Sequence, residues 1–184
     1  MTEISNSITW TLESQRLDFS KRKFLATPLA GMILWALIGA SGILLPQTIT
    51  EIVLFMGTGS IVYVAMFLSR FTGENFMAKK EKGNTFDSLF LFSVGQALLV
   101  YAIAIPFYLI YPDSLPLSVG ILTGLMWLPF SWIIGHWIGI FHAIVRTSGI
   151  LAIWYALPNF RFVLIPFFIV AIYMVTLTIL NKRA

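Results

Sequence analysis

The chain has 184 residues, of which 58% are apolar and 11% charged, against roughly 25% charged in a soluble domain. Twelve Lys/Arg and eight Asp/Glu leave a net charge of +4. There is no cysteine, which excludes thiol chemistry, thiolate metal sites and disulfides.

The charges are clustered, and the clustering decides the class. Uncharged runs of 27, 18, 25, 32 and 20 residues lie at 24–50, 52–69, 88–112, 114–145 and 162–181. A spanning helix needs about 20 residues, because the hydrocarbon core is about 30 Å thick and each residue rises 1.5 Å. Nothing remains to give these segments a polar outer face. The expected fold is an all-α membrane protein of six transmembrane helices with both termini cytoplasmic.

In chain order, residues 1–23 form a cytoplasmic, interfacial segment. Its first twenty residues lack the apolar stretch of a cleavable signal, so residues 24–45 act as an uncleaved anchor. Ile4, Ile8, Trp10, Leu12, Leu17 and Phe19 among polar neighbours predict a short interfacial helix, with Lys21–Lys23 on anionic lipid. A single transmembrane domain follows over 24–181, with spans at about 24–45, 50–71, 86–111, 115–134, 137–157 and 160–180. Pro46, Pro112 and Pro158 fall at span ends, where a missing backbone donor costs little. Residues 72–85 read as a solvated cytoplasmic loop. No charge separates the fourth and fifth spans, and Gly135 and His136 are the turn residues expected there. Six spans place ten Lys/Arg inside and only Arg161 outside, the asymmetry of the positive-inside rule. That bias explains the net charge, so the lipid bilayer is the expected partner and nucleic acid is not.

Polar groups inside a membrane are expensive and point to function. Arg146 lies roughly 13 Å from the inner end of span five at 1.5 Å per residue. Gly139, His142, Arg146 and Gly149 share one helical stripe, small and polar, that should face the bundle. Gln96 lies at a similar depth on span three. All eight acids are placed nearer the membrane surfaces, so Arg146 has no evident carboxylate. Such a guanidinium takes an anion, free carbonyls or water, or it snorkels to headgroups. Trp127, Trp132 and Trp137 recur at five-residue spacing, as an interfacial belt or, for the deeper Trp127, as a pocket wall. Gly120/Gly124, Ala26/Ala30 and Ala36/Ala40 are packing motifs of low specificity. No HExxH, phosphate loop, dinucleotide glycine pattern or intramembrane metal-ligand pair occurs, so no metal, cofactor or catalytic residue is expected.

The stretch Gly124-Leu125-Met126-Trp127-Leu128-Pro129-Phe130-Ser131-Trp132, with the basic loop before span three, resembles a bacterial family of small integral membrane proteins of unknown function. The likeness covers most of the chain and implies a six-helix fold in the bacterial inner membrane, without an activity. In size, span number, termini and the Ala36/Ala40 spacing the chain is also similar to substrate-binding subunits of energy-coupling-factor vitamin transporters. It departs from them in its very short outer loops.

The functional expectation is a binding or transport protein for a small anionic or amphiphilic ligand. In it Arg146 neutralises the anion, His142 and Gln96 orient it, and Trp127 packs on its apolar part, with Trp132 as a further candidate ligand-binding residue. The competing expectation is a non-catalytic subunit that associates with a second copy or a partner membrane subunit through Gly/Ala faces. An enzyme ranks third.

Overall fold

Where lipid replaces water, backbone groups must be satisfied within the segment, so long apolar stretches become helices. The computed structural model describes residues 11–74 and 83–183, and these are helical without a strand. A short helix α1 (Leu12–Ser20) precedes α2 (Ala26–Leu44) and α3 (Gln47–Thr72). Span three is two helices, α4 (Thr85–Leu99) and α5 (Tyr101–Ile110). Span four is likewise α6 (Leu115–Gly124) and α7 (Trp127–Ile134). The last two spans are α8 (Ile138–Ala156) and α9 (Arg161–Arg183). Among the described residues six segments are long and apolar enough to cross a bilayer, and the chain is a multi-pass membrane protein.

Local chemistry sets the ends. Gly73 and Gly135 close α3 and α7 in the left-handed region, with φ of 77° and 61°. Gly135 supplies the reversal between the uncharged fourth and fifth spans. Pro46 caps α3, so that helix begins at Gln47, three residues before the composition suggested. Pro112 and Pro158 open single 3₁₀ turns ahead of α6 and α9. Pro129 has no N–H for the Leu125 carbonyl, and the helix breaks there. The Leu125 carbonyl accepts instead from Leu128 N–H at 3.1 Å.

The spans form an open ring. α2 packs on α3 and α9, α9 on α8, α8 on α6 and α7, and these on α5 and α4. The ring closes between α3 and α5 in the half away from the termini. There Thr58, which gives its own hydrogen to Leu54 O at 2.6 Å, accepts from the Tyr101 hydroxyl. Tyr108 also donates to the buried Glu51 carboxylate at 2.8 Å. In the half nearer the termini, α3 and α4 bracket a cavity of about 510 Å³.

The ends of the bundle on the termini side are tied together. The short helix α1 folds against α4 and α7, with Phe19 buried against Phe24, Phe86 and Phe90. The expected positions Ile4, Ile8 and Trp10, and most of the 72–85 loop, lie outside the described residues. Arg22 bridges Asp18 (2.7 Å) and Asp87. Asn84 donates to Gln15 O (2.8 Å) and Asp18 (3.0 Å). Arg183 reaches Ser20 O (2.6 Å) and Arg22 O (2.9 Å).

Glu74 caps α2 from outside, accepting from the backbone N–H groups of Leu25 and Ala26. Burial holds its carboxyl above its ordinary value of 4.5, against the lowering pull of those N–H groups and of Thr72. The folded chain therefore takes up this proton more readily than the unfolded one. The stability it confers is complete below 4.5 and is lost as pH rises through the elevated value. Glu74→Gln keeps an oxygen acceptor for the cap and removes that slope. Melting curves in detergent from about pH 4 to about pH 8 should show the decline in the wild type and not in the variant.

Candidate functional site

The stripe on α8 faces inward along its length. Gly139 abuts the α7 backbone at Trp127 and Ser131, and Gly149 abuts the Phe168 ring of α9. Between them His142 and Arg146 are both 0% exposed. Arg146 therefore does not snorkel. Enclosed by protein, it has no carboxylate partner among the described residues.

Its donors go to neutral acceptors. Nε donates to Gly120 O (2.7 Å), Nη2 to Thr123 Oγ1 (3.0 Å), and Nη1 to Tyr173 Oη (3.3 Å) and His142 Nε2 (3.4 Å). The guanidinium lies 5.3 Å from the Trp35 ring centroid and 5.7 Å from that of Tyr173, within reach of both π faces. Gly120 and Gly124, which read as a generic packing motif, are the cradle. Gly120 supplies the carbonyl and seats Ile150, and a Cβ on Gly124 would stand 2.9 Å from Arg146 Cδ.

Hydroxyl hydrogens fix the rest of the network. Thr176 gives its hydrogen to Ile172 O (2.8 Å), so its oxygen accepts from His142 Nδ1–H at 2.9 Å. His142 is then the neutral Nδ1–H tautomer, and Nε2 is free to accept from Arg146. Trp127 stacks on this imidazole, with centroids 4.3 Å apart and planes 19° from parallel, and Tyr173 meets it edge-on at 4.8 Å. Thr123 likewise gives its hydrogen to Val119 O at 2.6 Å.

Three ring-bearing donors around this network remain without acceptors among the described residues. The Tyr173 hydroxyl accepts from Arg146, and its own hydrogen has no recipient. Trp127 Nε1–H is buried and has no partner, as is Trp35 Nε1–H. Thr123, Trp127 and Tyr173 line the deep end of the cavity between α3 and α4. The guanidinium itself does not line the cavity but donates to the hydroxyls of two residues that do, Thr123 and Tyr173. A buried donor without a partner costs about 1–3 kcal/mol, a cost that an acceptor brought to it would relieve.

Of the residues singled out in the sequence, Arg146, His142 and Trp127 come together. Gln96 and Trp132 do not join them. Gln96 is on the exposed side of α4 beside Gly95, away from the Arg146 network. Trp132 is 63% exposed at the end of α7, with Arg16 5.0 Å above its ring and donating to its carbonyl at 2.8 Å. His136 accepts the Ile138 N–H at 3.2 Å in the turn, and burial, then the nearby Arg183, lower its basicity. Sequence reading missed Trp35, Thr123, Tyr173 and Thr176, whose types are common in membrane helices and whose roles depend on which helices meet.

The chain belongs to a family of unknown function, DUF7010, whose profile matches residues 12–183. No curated protein and no solved structure matches it. None of these comparisons carries the likeness to vitamin-transporter subunits.

Proposed function

We propose that this membrane protein binds, for storage or transport, a small amphiphile whose head is an anion or a strong hydrogen-bond acceptor. Its termini lie in the cytoplasm of a bacterial cell, as the ten-to-one distribution of Lys and Arg supports. The observation that carries the reading is that Trp127 and Tyr173 both line the cavity, Trp127 with a buried N–H that has no partner among the described residues and Tyr173 with a hydroxyl that accepts from Arg146. The remaining walls, with Ile61, Val62, Ala65, Val94 and Leu98, suit a hydrocarbon body. About 510 Å³ lies within the range of small-molecule pockets. The head goes deep because the charges at the other end of the cavity are already engaged: Arg22 with Asp18 and Asp87, Glu74 with the start of α2.

Trp127→Phe is the direct test, since it removes the N–H and keeps a ring against His142. Laurate should raise the melting temperature of the wild type in detergent. Its affinity for Trp127→Phe should fall about tenfold, the equivalent of one hydrogen bond to a charged group. Equal affinity for both proteins would remove the main support for the reading.

A subunit that assembles through Gly/Ala faces is less well supported. Gly31, Gly39, Gly42, Gly120, Gly139 and Gly149 are occupied from within by Tyr173, Phe167, Phe162, Ile150, Trp127 and Phe168.

A further inference from the structure

Among the described residues, polar contacts tie the termini end of the cavity together, and none spans its side between α3 and α4. On the termini side Arg22, Asn84 and Asp87, all cavity-lining, are held in the ion pairs and hydrogen bonds that join α1 to α4. Gln15 completes the seam by accepting from Thr85 N–H at 2.8 Å. Glu74 closes the adjoining corner on α2. The opposite end is roofed by Thr58 and Tyr101. Between α3 and α4 nothing equivalent exists among the described residues. Leu91 and Leu98 line the cavity while remaining 67% and 48% exposed on the outer surface of the bundle. Cavity wall and lipid-facing surface are therefore continuous there. Span three is also the least buried of the six and is divided at Val100.

Resting on the binding reading above, we infer that the ligand is a membrane-dissolved, single-chain amphiphile with a monoanionic head such as a carboxylate. It passes sideways from the bilayer between α3 and α4. Its head meets Tyr173 O–H and Trp127 N–H, and its chain lies in the α3/α4 groove, continuous with the lipid. Charge selects the head. Behind the Thr123 and Tyr173 side chains lies Arg146, without a carboxylate among the described residues, whereas Arg22, which lines the cavity, already faces two. One uncompensated charge matches a monoanion and leaves a dianion half neutralised in a low-dielectric site.

The cysteine-free chain allows a nitroxide to be placed on Leu98→Cys, with Lys21→Cys as a water-facing reference. In phosphatidylcholine vesicles, oxygen should relax the Leu98 label more than a water-soluble nickel chelate does, and the reverse should hold at Lys21. Laurate should reduce oxygen collisions at Leu98, whereas dodecyltrimethylammonium should not. A Leu98 label relaxed by the nickel chelate as strongly as the Lys21 label would overturn the lateral route. So would laurate that raises the melting temperature yet leaves Leu98 unchanged, and in both cases binding itself would stand. Equal effects of the cationic amphiphile would overturn the choice of head. Laurate with no effect on melting or on collisions would sink the binding reading and the route together.

Discussion

Replacing Arg146 by methionine should abolish the response to laurate while leaving the bundle folded. Methionine fills a similar volume without charge, and a buried ion replaced by a well-packed apolar side chain often leaves stability unchanged or higher. Here the exchange removes a charge that lacks a carboxylate partner, at a depth where Arg costs about 2.5–3.5 kcal/mol. It also takes one donor each from the Gly120 carbonyl and His142 Nε2, which offsets part of that gain. The net change in stability should therefore stay within about 2 kcal/mol. The ligand effect is larger, because an anionic head would then face hydroxyls that no longer have a cation behind them. A loss of at least about a hundredfold in laurate affinity is expected, near the upper range for a charge-assisted contact. Arg146→Lys should rescue little, since one ammonium cannot span the separate acceptors Gly120 O, Thr123 Oγ1 and Tyr173 Oη. Arg161→Ala, at the opposite end where Arg161 stacks 3.6 Å from the Trp154 ring, should leave laurate binding intact. Calorimetric titration of the three variants decides the matter: undiminished laurate affinity in a folded Arg146→Met protein would make Arg146 purely structural.

The fold and the candidate site differ in how far the amino-acid sequence reveals them. Six helices are legible because lipid imposes a length and excludes charge, so spacing alone counts them. Arg146 and His142 are legible because a polar side chain four residues from another, inside an apolar run, has few innocent positions. Their partners are not. Thr123, Tyr173 and Trp35 come from α6, α9 and α2, and no local pattern says which helices touch α8. Gly120 and Gly124 were visible as a motif but silent about what they would admit, a guanidinium rather than another helix. Gln96 shows the opposite error. Depth alone grouped it with Arg146, but depth carries no information on which way a helix face turns, and its side of α4 is the exposed one. Trp132 was drawn in by its spacing from Trp127. The break that Pro129 causes at Leu125 leaves the two rings in different surroundings, one on His142 and one under Arg16.

The same substitution at two glycines should have opposite effects, and the contrast tests the packing on which the site depends. A Cβ on Gly139 would run into the Trp127 carbonyl and the Cα of Ser131, both backbone atoms of α7 that no rotamer change can move. Gly139→Ala must therefore part α7 from α8, and with it the Trp127–His142 stack. Overpacking of this kind costs about 1–3 kcal/mol and occasionally more, against about 1 kcal/mol gained from the helix propensity of alanine. Because the obstacle is backbone, the upper end is expected, with a net loss of about 2 kcal/mol or more. Gly95, on the exposed side of α4, has nothing within 4 Å of the added methyl. Gly95→Ala should thus be neutral or gain up to about 1 kcal/mol. Unfolding of both variants in mixed detergent measures the difference. The losses should also be coupled: Gly139→Ala should weaken laurate binding roughly as Trp127→Phe does, and the double variant should add little, since both act on the position of one indole. Full additivity would mean that the α7–α8 contact and the Trp127 donor are independent, and that the ring reaches its place on the cavity wall without the glycine.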